Sequence, residues 1–259
     1  MSADPIQDAL KGALQRRLAA VPLGPAVVLG AGGWLGAALL AQVLAAGHSR
    51  VGALVQQRMA STHRGLVALT EAELATADGA TRERWTGATA YLVLERHGLS
   101  GARDAAFVAP QVTDLPLLGR QLRAMGVTRL FVVVPHAASS LPEALRHGFA
   151  DGDEQALAQL GFDQLVFVRS SRDGAALAPG TPWLERFAAA WWSQLRWLLP
   201  DAERPLRSVA LARVVVAAAR LLRNAGPGVR VLPQGLASRA AQAREGMESV
   251  LKEWIGPGA

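Results

Sequence analysis

The sequence predicts an α/β fold: a doubly wound parallel sheet covered by helices on both faces. Three observations predict it. Short apolar, β-branched runs alternate with longer segments of helical spacing. Those runs are apolar at consecutive positions, as strands buried on both faces are. And a glycine-rich turn stands between the first such run and the first long helical segment.

Taken in order, Ile6 to Ala20 has the spacing of an amphipathic helix, and Pro22 and Pro25 set this N-terminal extension, residues 1–22, apart. Ala26-Val27-Val28-Leu29 reads as the first strand and Trp34 to Ala46 as a helix stopped by Gly47. Val51 to Val55 is the second strand and Gly65 to Leu69 a weaker third. Thr76 to Gly87 is polar and reads as a long loop. Ala90 to Leu94 is the fourth strand, and Asp114 to Met125 a helix closed by Gly126. Leu130 to Val134 is the fifth strand, Glu143 to Leu160 contains a helix, and Leu165 to Val168 is the sixth strand. Trp183 to Leu199 and Val209 to Asn224 read as helices, Val229 to Leu232 as a late strand, and Ala237 to Trp254 as one final helix.

Composition narrows the function classes. With 259 residues, 51% hydrophobic and 19% charged, the chain suits a single domain, 1–259, with a substantial core. It has no cysteine, so disulfides, thiolate chemistry and cysteine-ligated metals are excluded. Lysine and arginine number 27 and the net charge is +6, yet only Lys11 and Lys252 are lysines and the arginines are scattered. That pattern argues for a solvated surface and against nucleic-acid binding. The polar, acidic start and the lack of a long apolar run predict a cytoplasmic protein with no membrane span.

The glycine turn is Gly30-Ala31-Gly32-Gly33-Trp34-Leu35-Gly36. Between a strand and a helix, such a turn fits a dinucleotide's pyrophosphate. Glycines permit the tight turn and the close approach of backbone N–H groups, and the helix start offers partial positive charge. The predicted core is therefore of Rossmann type. The predicted cofactor-binding residues are Gly30, Gly32, Gly33, Trp34, Leu35 and Gly36, joined by Gln56 and Arg58 after the second strand. That second position has no acid to meet ribose hydroxyls, and Arg58 could meet a 2′-phosphate, which favours NADP over NAD.

On the segments VVLGAGGWLG (Val27 to Gly36), GVTRLFVVV (Gly126 to Val134), LGFDQLVFVR (Leu160 to Arg169) and SVALARVVVAAA (Ser208 to Ala219), the chain resembles the atypical short-chain dehydrogenase/reductase superfamily. Within it, the chain lies near the nucleoside-diphosphate-sugar epimerase-like NAD(P)-binding proteins. The resemblance implies a small C-terminal substrate lobe, here a mostly helical stretch of about residues 172–259. It also implies a Tyr-x-x-x-Lys pair that moves a proton, and a serine after the fifth strand. The chain departs from that pattern: its one tyrosine is Tyr91, in the fourth strand, and both lysines lie near the ends. Aligning Gly152 with the glycine that often follows the family lysine puts His147 at the tyrosine position and Asp151 at the lysine position. His136 and Ser139 follow the fifth strand.

Three readings stay open: a cofactor binder without catalysis, His136 or His147 replacing tyrosine with Asp151 orienting His147, or both histidines as ordinary surface residues. The first predicts an NAD(P)-binding protein without conventional dehydrogenase catalysis, acting as a cofactor-linked regulator or accessory protein. The second predicts an active NADP-dependent oxidoreductase or epimerase on a small carbonyl or sugar-like substrate. The histidines show no metal-ligand spacing. Trp183, Trp191, Trp192 and Trp197 share one predicted helix and read as packing or an interface. The last two helices are candidate elements of a homodimer.

Overall fold

The structure, a computed structural model, describes residues 23–57, 65–95, 106–136, 151–171, 206–243 and 246–256. Among these residues seven strands form one sheet: β1 (Ala26–Leu29), β2 (Val51–Val55), β3 (Leu66–Thr70), β4 (Ala88–Val93), β5 (Val127–His136), β6 (Gln164–Ser171) and β7 (Gly228–Leu232). Their spatial order is β3-β2-β1-β4-β5-β6-β7, and every pairing is parallel. This is the doubly wound Rossmann arrangement that the alternation of elements predicts. The order reverses between β1 and β4, so a crevice opens at the carboxyl ends of those two strands.

The helices are α1 (Trp34–Ala45), α2 (Glu71–Thr76), α3 (Gly79–Trp85), α4 (Leu115–Ala124), α5 (Asp151–Ala158), α6 (Ser208–Leu222), α7 (Gln234–Gln242) and α8 (Met247–Ile255). A 3-10 turn, Val112–Asp114, leads into α4. Side chains alternate across each strand and so build a core on each face of the sheet. On one face Val28, Tyr91, Phe131 and Val166 pack with Leu39 and Val43 of α1, Leu211, Val215 and Leu222 of α6, and Leu251 of α8. On the other, Val27, Leu29, Leu92, Leu130 and Phe167 pack with Leu74 of α2, Trp85 of α3, Leu118 and Leu122 of α4, and Leu157 of α5.

Two sequence expectations are corrected. The polar stretch from Thr76 to Gly87 is not a long loop, because α3 fills most of it. Asp78 caps that helix, its Oδ1 accepting from the Thr81 N–H at 2.8 Å. The outward residues Arg82, Glu83 and Arg84 give the stretch its loop-like polarity, while Trp85 alone is drawn fully into the core. The final helix is two helices, not one. Ala243 turns extended and ends α7, and Gly246, with φ of +102°, stands as the N-cap from which α8 starts afresh.

Of the stretch that the resemblance assigns to a C-terminal lobe, residues 206–243 and 246–256 are described. They add β7 to the sheet beside β6 and lay α6 against α1. The predicted N-terminal helix and the tryptophan-rich segment from Trp183 to Leu199 lie outside the described residues.

Candidate functional site

The glycine turn leaves β1 at the switch point. Gly30 has φ of +81°, and a Cβ there would overlap the Val93 carbonyl of β4 and crowd Pro110. A Cβ on Gly36 would overlap the Gly30 carbonyl, so the first turn of α1 can rest on the loop only because residue 36 has no side chain. Gly32 and Gly33 are buried, while Trp34 is 73% exposed at the rim. Gly33 is the N-cap of α1 and supplies no side-chain cap, and the first turn of α1 contains no acid.

The N–H groups of that first turn meet an acid from elsewhere. Glu95, two residues beyond β4, accepts from the Leu35 N–H at 2.8 Å and from the Gly36 N–H at 3.4 Å, both through Oε2. Its side chain fills the space that a Cβ on Gly33 would occupy. A carboxylate oxygen therefore sits where helix-start amides and the helix dipole favour an anion. The helix start thus holds one oxyanion, the Glu95 carboxylate.

The second half of the crevice lies at the carboxyl end of β2. Gln56 and Gln57 are exposed there. The Gln56 N–H donates to the Ala106 carbonyl at 3.0 Å, and the Val108 N–H donates to the Leu54 carbonyl at 3.3 Å. Val55 and Phe107 form an antiparallel bridge. Residues 106–110 thus run from the end of β2 to Gly30, where Pro110 is buried.

The structure brings the predicted Gly30, Gly32, Gly33, Trp34, Leu35 and Gly36 together at the turn and puts Gln56 at the edge of the same crevice. Arg58, Ser139 and His147 lie outside the described residues. His136 ends β5 at the carboxyl edge, in register with Ser171 of β6. Asp151 begins α5, a helix tied to β6 by the ion pair of Glu154 with Arg169 at 3.2 Å. Sequence reasoning missed Glu95. Its signals were an acid two residues after a strand buried along its length, and a helix start with no acid of its own.

Tyr91 is fully buried in β4, its ring stacked on Phe131 with centroids 5.5 Å apart. Burial raises its phenol well above the ordinary pKa. His48 lies at the opposite, amino end of the strands. Its Nδ1–H donates to the Gly24 carbonyl at 2.8 Å, and its Nε2 is buried without a hydrogen-bond partner. Burial lowers its pKa, and the positive charges of Arg129, Arg220 and Arg223 add to that effect against the opposing Gly24 bond. Among the described residues no group of three or more His, Cys, Asp or Glu could hold a metal ion, and no helix is long and apolar enough to cross a membrane.

No family model matches the chain, and no curated protein matches its sequence. Several solved structures are similar to it. One is the Bordetella bronchiseptica enzyme WbmF in complex with NAD+, at 15% identity and TM-score 0.42, covering 85% of this chain and 78% of that one. Another is UDP-N-acetylglucosamine 4-epimerase from Bacillus cereus, at 12% identity and TM-score 0.42, covering 84% and 82%. A third is a short-chain dehydrogenase from Burkholderia cenocepacia in complex with NADP, at 16% identity and TM-score 0.41, covering 89% and 97%.

Proposed function

We propose that this chain is an NAD(P)-binding protein, with NADP preferred, whose pyrophosphate cradle is the Gly30 to Gly36 turn. One observation carries the reading: at the switch point of a doubly wound sheet, the Leu35 and Gly36 N–H groups converge on a single oxyanion. Gly30 and Gly36 shape the turn, and the start of α1 supplies the positive end of its dipole. Gln56 at the end of β2 brings no negative charge against a 2′-phosphate, and Arg58 follows two residues later in the sequence. When bound, the nicotinamide would supply or accept a hydride.

Conventional tyrosine–lysine proton transfer is absent from the proposed role. The chain's one tyrosine is a core residue, sealed in β4 against Phe131, and so cannot reach a substrate in the crevice. The role proposed is therefore that of a cofactor-linked regulatory or accessory protein. Titration with NADPH and with NADH, followed by calorimetry, tests the binding. Saturable binding with NADPH the tighter of the two is expected; no binding of either at about millimolar concentration, the weak end of specific affinities, would sink the reading.

A second reading, an active reductase or epimerase, draws on the position of His136. It ends β5 on the same edge of the sheet as the glycine turn. That reading expects cofactor-dependent turnover of a carbonyl or sugar-like substrate, lost in His136→Ala.

A further inference from the structure

The pyrophosphate cradle and the Glu95 carboxylate cannot both be filled, because they are the same place. Glu95 Oε2 takes the N–H groups of Leu35 and Gly36, and its carboxyl carbon lies within the volume left open by Gly33. Among the described residues no cation pairs with it, so its charge would stand against the phosphates directly. The same chain connection continues through Ala106 to Val108, hydrogen-bonded across the end of β2, and through Pro110 against Gly30. Both halves of the crevice are thus contacted by one connection, the one between β4 and α4.

We propose that Glu95 is an internal competitor for the dinucleotide phosphates: the chain holds its own anion on the helix start, and the cofactor enters only when the Glu95 side chain leaves. This rests on the NAD(P) reading above and adds its regulation. A carboxylate held by two backbone N–H groups at a helix start is stabilised more than a neutral hydrogen-bonded pair. The apparent affinity for a dinucleotide is lowered by the fraction of time that the cradle is self-filled. The site is therefore set by its own chain to respond weakly to low cofactor, and any event that draws Glu95 away raises its affinity.

The test compares the full-length chain with Glu95→Ala and Glu95→Gln. NADPH and phosphate-free adenosine are titrated by calorimetry, and amide exchange is followed at Leu35 and Gly36. Glu95→Ala removes the competitor, and NADPH binding about tenfold tighter or more is expected, since hydrogen bonds to a charged group are worth at least that factor. Glu95→Gln keeps the size and loses the charge, so it should fall between the two, and it decides the matter if the alanine variant does not fold. Adenosine affinity should not change, and the Leu35 and Gly36 amides should exchange faster in the alanine variant. Equal NADPH affinity in all three proteins overturns the competition while leaving the dinucleotide reading intact. Weaker binding in the alanine variant overturns it by making Glu95 a contact of the ligand. An equal gain for adenosine overturns the link to phosphate. Binding in none of the three overturns the dinucleotide reading and the competition with it.

Discussion

His48 is the residue whose environment has the plainest consequence for stability. Its ring is held neutral because burial, and then three arginine charges, disfavour the imidazolium. The folded form therefore binds fewer protons than the unfolded one, whose imidazole titrates near 6.5. With the folded pKa below the unfolded one, stability is fully present above that value and is lost as the pH falls below it. Urea unfolding from about pH 8 to about pH 5 should show this loss, and a His48→Leu variant should show less of it. Identical slopes in the two proteins would remove His48 as the cause. At the turn, Gly30 and Gly36 are legible in the sequence because what each requires is local: a positive φ, or a helix resting on its own loop. Glu95 is not legible in that way. It meets Leu35 across 60 residues of chain, and only the folding of β4 beside β1 brings the two together.

At the scale of elements, α2 and α3 show why polarity misleads. Each is short, and only Leu74 and Trp85 on them are buried, so neither presents the apolar stripe by which longer helices are recognised. Their signals lie in the caps. Thr70 Oγ1 accepts from the Glu73 N–H at 3.4 Å, and Glu73 Oε2 accepts from the Thr70 N–H at 2.9 Å, a reciprocal capping box. Thr70→Ala is expected to cost about 1 kcal/mol, read as a lower urea midpoint at unchanged slope. A midpoint unmoved by that change would mean that the cap does not hold α2 in place. The break between α7 and α8 lies in the extended backbone of Ala243 and the positive φ of Gly246, and the periodicity of Ala237 to Trp254 carries across both.

For the whole molecule, the parallel sheet and the two-sided core were the most legible features. Buried parallel strands repeat one local signature, and helices between them leave few other topologies. The sequence does not show how deeply the C-terminal residues enter that core. Leu211, Val215, Ala218 and Leu222 of α6 pack in the same cluster as Leu39 and Val43 of α1, and β7 extends the sheet beside β6. A chain ended at residue 205 should lose the cooperative unfolding transition, because α1 alone among the described helices would remain over that face of the sheet. A sharp calorimetric transition in that truncated chain would show that the face is covered in some other way.

The bond between Glu95 and the Leu35 amide also bears on how fast the crevice can respond. Exchange of one anion for another makes opening a separate step before capture. In the proposed competition, raising NADPH speeds its initial capture only until opening of the carboxylate becomes the slow event, after which the initial rate levels off. Timing in this protein would thus belong to a side chain, and supply of the nucleotide would govern only the lower part of the curve.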